Sequence, residues 1–336
     1  MLTATPTEYF ITGSLWRLEL GIVGLWFVAI VVHELGHAVG AALRGFRVIT
    51  MYAGPLFVSH TERGGVRLGV RRALFGGAVL AVPRRWDGDQ RLRRDYGWFV
   101  AAGPAASLLT GSIALAVALW RPQFWGELLL LVFSAISLTI GILTLVPTRR
   151  ASGRTSDGQK LFDLRQSDPT YAPMLALRLM LHTERPRDWD PVLLAALRPE
   201  SEHQGPDAID ATILLYFHAL DSGDTAAAQA LLQRAIDYTC GTARWPRGTI
   251  SMEIGVEAAF FEAVWRRDAA SARTWLDRAP FSGRRATKLR GLFSEAFAGA
   301  PKAIEKVRRM FYRSPQPGAW LTRAATLERL NSSGSG

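Results

Sequence analysis

The chain has 336 residues, 49% of them hydrophobic, with 40 Lys and Arg against 29 Asp and Glu for a formal net charge of +11. Its one cysteine, Cys240, excludes an intrachain disulfide and a cysteine-built zinc site. The length allows two domains of ordinary size, and the halves differ: charge-free runs lie before Gln166, whereas the remainder reads as a soluble helical protein rich in Ala and Leu.

The first element is an apolar segment from about residue 18 to 43, free of charge from Leu20 to Val32. It is too long for a cleavable signal peptide and has no basic flank before it, so it reads as a retained membrane helix. Its last third carries His33-Glu34-Leu35-Gly36-His37, an H-E-x-x-H pattern. On a helix, residues four apart share a face, so His33 and His37 can offer imidazole nitrogens to one metal ion. Glu34 lies beside them, able to take a proton from a water at that ion without acting as a ligand. Two histidines and a carboxylate within a hydrophobic span are costly unless they serve a function. Gly36 and Gly40 leave one face of the helix thin enough for another backbone to approach.

Residues 44–94 contain eleven arginines, among them Arg71, Arg72, Arg84, Arg85, Arg91, Arg93 and Arg94. Basic residues are retained in cytoplasmic loops, so this excess is a topology signal and no nucleic-acid partner is expected. Apolar pieces at Val48–Val58 and Val79–Val82, broken by Gly54-Pro55, Gly64-Gly65 and Gly76-Gly77, predict a small β-hairpin loop. Extended backbone at membrane depth needs protein or a wet cavity against it, which suits a hairpin lying beside the His33–His37 motif.

Two further uncharged segments, about 96–120 and 128–148, predict the second and third membrane helices. Trp98, Trp120 and Trp125 suit the interfaces, and Arg121-Pro122-Gln123 is the short turn between the spans. Arg149, Arg150, Arg154 and Lys160 follow the third span. The positive-inside tendency puts the N-terminus outside and both the 44–95 loop and everything after Thr148 in the cytosol. Two histidines leave a catalytic zinc one protein ligand short. Of the remaining histidines, His60, His182, His203 and His218 read as surface or core residues. Asp157, in Ser156-Asp157-Gly158, is the better-placed carboxylate, with Asp163 its competitor.

From Asp168 onward the pattern is helical and partly repeated. Ala219-Leu220-Asp221-Ser222-Gly223-Asp224 leads into a helix, Ala263-Val264-Trp265-Arg266-Arg267-Asp268 into another, and a weaker copy begins near Ala296 with Gly299, Pro301 and Ala303. Paired helices with small residues at packing positions predict a degenerate tetratricopeptide-like array at 167–330, a surface for a protein partner. Residues 331–336 read as a flexible tail.

The order of motifs resembles the site-2 protease family of intramembrane metalloproteases: H-E-x-x-H in one span, Gly103-Pro104 in the next, then Val146-Pro147 and Ser156-Asp157-Gly158 after the third. The Ser-Asp-Gly spelling is similar to that of a bacterial branch. The resemblance implies one Zn2+ per chain held by His33, His37 and Asp157, with Glu34 as catalytic base. The family often has Asn where this chain has Ser107 and Thr144, so Gly103, Pro104, Ser107 and Thr144 are the candidate substrate-binding positions. The implied fold is an all-α membrane protein. Its three-helix intramembrane metalloprotease core occupies residues 1–166 and carries the β-hairpin loop, and the helical, tetratricopeptide-like soluble domain follows. The implied activity is hydrolysis of a peptide bond in or near the transmembrane segment of a membrane-tethered protein or peptide, as in regulated intramembrane proteolysis. The implied setting is the lipid bilayer of a bacterial cytoplasmic membrane. The alternative is a catalytically quiet membrane adaptor that recruits partners through its helical array.

Overall fold

The computed structural model describes residues 6–60, 65–70, 76–120, 126–149, 155–166, 168–202, 206–240, 249–279 and 283–312. Arg71, Arg72, Arg150, Arg154, Gly64, the Arg121-Pro122-Gln123 turn, Trp125, His203 and the 331–336 tail lie outside them. The chain forms two compact units, Met1–Arg149 with Thr155–Gln166 and Arg150–Arg154 with Ser167–Gly336.

In the first unit α1 (Pro6–Leu43), α2 (Asp89–Trp120) and α3 (Glu127–Leu145) pack together. Each contains a stretch long and apolar enough to cross a membrane: Glu19–Leu43, Asp89–Trp120 and Glu127–Leu145. Their outward faces expose Leu20, Val23, Leu109, Ile113, Leu128 and Ile142, an apolar surface suited to lipid. All three helices depart from the hydropathy boundaries. α1 and α2 begin earlier, at Pro6 and Asp89, because a helix does not stop where the apolar layer does. α3 ends at Leu145 and not at Thr148, since Pro147 disfavours helical backbone before it and Val146 is extended at φ −67°, ψ 121°.

Small residues set the helix contacts. A methyl on Gly36 would stand 2.5 Å from the Ala102 carbonyl oxygen, and one on Gly40 would stand 2.5 Å from the Ala102 Cβ. Gly111 meets Leu138, and Gly141 meets Leu108 and the Pro104 carbonyl. Between helices in lipid, where no hydrophobic driving force exists, this close van der Waals approach is the main source of association.

The expected hairpin is in fact a four-stranded antiparallel sheet of β1 (Phe46–Ala53), β2 (Leu56–His60), β3 (Val66–Val70) and β4 (Gly77–Pro83), in the order β3-β2-β1-β4. Ala53 pairs with Leu56 across a two-residue turn. Gly54 takes φ +53° at its first central position, while Pro55 is fixed at negative φ, the combination of a type II′ hairpin. β1 also pairs with β4, with a bulge between Val48 and Thr50. β1 and β4 pack against α1.

After α3 the chain returns through a bridge between Arg149 and Thr155 and enters α4 (Asp157–Arg165). Ser156 caps α4 by accepting from the Gln159 N–H, and its hydroxyl donates to the Val146 carbonyl at 2.7 Å. One side chain thus starts the helix and ties it to the end of α3.

The second unit contains α5 (Tyr171–Met180), α6 (Pro191–Glu202), α7 (Pro206–Asp221), α8 (Thr225–Cys240), α9 (Thr249–Phe261), α10 (Ala269–Arg278), α11 (Gly283–Phe297) and α12 (Pro301–Tyr312). Three helix pairs, α7–α8, α9–α10 and α11–α12, join through a residue in the left-handed region: Gly223 at φ +83°, Arg267 at φ +56° and Gly299 at φ +86°. In the first two pairs an aspartate follows: Asp224 accepts from the Ala227 N–H, and Asp268 from those of Ala270 and Ser271. A continuous core runs through these pairs, including Tyr216, Leu232, Phe260, Leu276, Phe297 and Ile304.

Candidate metal centre

The helical spacing of α1 puts His33 and His37 one turn apart, and each ring is held through its Nδ1. That of His33 lies 3.0 Å from the Ser107 hydroxyl, and that of His37 lies 3.0 Å from the Phe99 carbonyl oxygen, which accepts from it. Both partners are on α2. With Nδ1 occupied, both Nε2 atoms turn to the same point, 3.2 Å apart. Ring orientation by a bond at the other nitrogen is the usual arrangement of metal-binding histidines.

Asp157, the first residue of α4, completes the group. Its Oδ2 is 3.4 Å from His33 Nε2 and 3.3 Å from His37 Nε2. The three atoms form a nearly equilateral triangle. Tetrahedral zinc with bonds of about 2.0–2.1 Å separates its ligand atoms by about 3.3 Å, so the donor set fits that ion. His33, His37 and Asp157 are all at least nine-tenths buried. Burial alone pushes the Asp157 carboxyl up, but the His33 and His37 imidazoles beside it and the charge of Lys160 outweigh it and hold it well below the usual carboxylate range. Its other oxygen accepts from Lys160 Nζ at 3.1 Å.

Glycines let these elements approach. A side chain on Gly103 would overlap the His37 ring, and one on Gly158 would overlap the Leu145 carbonyl. Gly158 therefore lets α4 start against the end of α3, which is why a glycine follows Asp157. The competing Asp163 is used structurally: Arg149 donates to both its oxygens at 3.2 and 3.1 Å, and Gln159 donates at 2.7 Å.

Glu34 is 5% exposed and interacts electrostatically with His37, Asp157 and Lys160. Its Oε2 is buried without a hydrogen-bond partner among the described residues. Gly77, at the start of β4, lies directly over the carboxylate, where a Cβ would overlap Oε1. A carboxyl oxygen left unsatisfied in such a place is costly, and a water held beside the three donor atoms would satisfy it.

The four candidate substrate-binding positions separate. Gly103 and Ser107 touch the histidines, and Pro104 is buried beside them. Thr144 instead donates to the carbonyls of Ile140 and Gly141 on its own helix. Phe99, Lys160 and Gly77 have no role at this site in the sequence reading, where Lys160 counts only towards topology and Gly77 only as a break between strands. Phe99 contributes a backbone carbonyl and Gly77 contributes only space, and neither leaves a signature in a single sequence. Among the other histidines, His218 bonds the Pro186 carbonyl at 2.7 Å in the second unit.

Residues 21–317 match the family model described as Peptidase family M50. No curated protein and no solved structure matches the chain.

Proposed function

The chain belongs to peptidase family M50, membrane zinc metalloproteases of the site-2 protease kind, and on that premise we propose that His33, His37 and Asp157 hold one catalytic zinc ion and that Glu34 is its general base. The observation that carries the assignment is the triangle of 3.2, 3.3 and 3.4 Å between the three donor atoms, beside a buried carboxyl oxygen that has no partner among the described residues. Zinc bound there supplies Lewis-acid polarisation of a peptide carbonyl and lowers the pKa of a water towards about 7.

This chain's residues do the rest. Glu34 accepts the proton of the attacking water and returns it to the departing amine. Ser107 and the Phe99 carbonyl fix the two imidazoles, while Lys160 holds the second oxygen of Asp157, leaving Oδ2 for the metal. The substrate in this reading is the transmembrane segment of a membrane-tethered protein or peptide. A helical segment must unwind before its peptide bonds are open to attack, and an unwound stretch needs partners for its backbone. β4 lies at one edge of the sheet with its first residue over Glu34. A strand added along β4 would satisfy that backbone and bring its peptide bonds to the carboxylate. Cleavage that releases a regulatory fragment is the biological role we assign.

The arginines of the 44–95 loop support a cytosolic position for that loop and for the second unit, with the N-terminus outside a bacterial cytoplasmic membrane. The division into a protease core over 1–166 and a helical domain over 167–330 follows the same reading. The three helix pairs with left-handed turns support a tetratricopeptide-like array that binds a protein partner.

The test is turnover of a membrane-tethered reporter by Glu34→Gln protein with its zinc measured alongside. Metal retained with cleavage abolished is the expected result. Appreciable cleavage by the variant removes Glu34 from the role of base, and cleavage equal to wild type in a variant lacking zinc removes the metal.

A further inference from the structure

Where α1 leaves the apolar layer and α2 enters it, a cavity of about 310 Å³ opens beside the first residues of β1 and the end of β4. Four arginines line it, Arg44, Arg84, Arg85 and Arg91, against two aspartates, Asp87 and Asp95. The aspartates are already engaged: Asp95 is buried and meets Arg91 at 3.4 Å and Arg94 at 3.1 Å, and Asp87 meets Arg91 at 2.9 Å. Arg84 and Arg85 form no ion pair with any described residue, and both are exposed. The cavity therefore carries two guanidinium groups without an ion-pair partner among the described residues, above a floor that includes the buried side chains of Phe46 and Leu92.

Its depth is marked by neighbours. The Arg44 guanidinium lies over the Trp98 ring, 4.7 Å from its centroid, and Trp98 is 57% exposed. Leu43, the last residue of the α1 span, is 79% exposed just before Arg44. Tryptophan at the end of a span marks the headgroup level, and an arginine stacked on it belongs to the same layer. Leu43 and Trp98 are thus the exposed apolar side chains nearest the Arg44 wall of the cavity, and Arg84 and Arg85 line the same cavity.

We propose that this cavity binds the phosphate headgroup of an anionic membrane lipid, with Arg84 and Arg85 as the phosphate ligands and the acyl chains running past Leu43 and Trp98. Guanidinium groups match phosphate oxygens by paired N–H donors, and basic pockets at span ends select anionic headgroups over zwitterionic ones. The site depends on the membrane placement of α1 and α2 and is independent of the metal centre.

The test uses the purified 336-residue chain in detergent, with lipid adducts counted by native mass spectrometry. Wild-type protein, an Arg84→Gln/Arg85→Gln variant and an Arg47→Gln/Arg67→Gln variant are each exposed to phosphatidylglycerol and to phosphatidylcholine. Arg47 and Arg67 are exposed on the sheet and do not line the cavity. Wild type is expected to retain phosphatidylglycerol over phosphatidylcholine. The cavity variant should lose that adduct by roughly tenfold or more, while the sheet variant retains it. Equal retention by the cavity variant, equal binding of phosphatidylcholine, or equal loss in the sheet variant overturns the proposal. Displacement of the lipid by an equal concentration of inorganic phosphate also overturns it, because the site would then take a small anion. Arg84 and Arg85 are surface side chains, and an unchanged melting temperature separates loss of the site from loss of the fold.

Discussion

Gly103 of α2 lies against the imidazole of His37, so close that any side chain there would occupy the space of Nε2, Cδ2 and Cε1. The glycine of the Gly-Pro pair thus belongs to the candidate metal centre by what it lacks. Gly103→Ala should displace His37 and reduce zinc content by at least about tenfold, since moving a metal ligand or its supports costs on that order. Metal analysis of the variant checks this. Full zinc retention would mean that α2 can retreat without cost.

Ser107 and Thr144, paired as candidate substrate positions by sequence, should behave differently. The Ser107 hydroxyl is bonded to His33 Nδ1 within the core, so Ser107→Ala should weaken zinc affinity by roughly 10- to 100-fold. Among the described residues Thr144 bonds its own helix carbonyls alone, and Thr144→Ala should leave zinc affinity unchanged. Zinc dissociation constants measured by chelator competition on both variants distinguish them, and equal values would remove Ser107 from the support of His33.

Replacement of Gly158 by Ala should act at the fold before it acts at the metal. A methyl there would overlap the Leu145 carbonyl, where backbone on both sides leaves no flexible group to yield. The expected result is a lowered melting temperature in the metal-free protein together with zinc loss. An unchanged metal-free melting temperature would contradict the tight return of α4 onto α3.

For topology, cysteines at Arg84 and Asp237 in a Cys240→Ser background should react with a membrane-impermeant maleimide only after the cells are opened. The motive is the arginine asymmetry of the loops. Labelling of the Arg84 position on intact cells would reverse the orientation.

Much of the site was legible because its chemistry is local. The i, i+4 histidines and the neighbouring Glu34 read from a few adjacent residues, Asp157 reads from its place after the third span and from the family resemblance, and packing brings the three donor atoms within 3.4 Å. What was not legible depends on contacts between elements. Strand β3, Val66-Arg67-Leu68-Gly69-Val70, lies outside the apolar pieces at Val48–Val58 and Val79–Val82, because its arginine and glycine interrupt the apolar pattern. In the sheet Gly69 faces Phe57, whose ring takes the space a side chain would need. The start of α2 was set late because Arg91, Arg93, Arg94 and Asp95 end the apolar run without ending the helix. Those charges are spent on ion pairs with Asp87 and Asp95 and on the carbonyls of Leu164 and Gln166.

The central claim is that Asp157 brings α4 to the histidines of α1 as the third ligand of one zinc ion. The most direct measurement is zinc per chain in purified Asp157→Asn protein beside wild type. The substitution keeps the side chain's size and removes its charge. About one zinc per wild-type chain, and a small fraction of that in the variant, is the expected result. Equal zinc in the two proteins would contradict it, leaving Asp157 as a partner of the histidines and of Lys160 with no part in holding the metal.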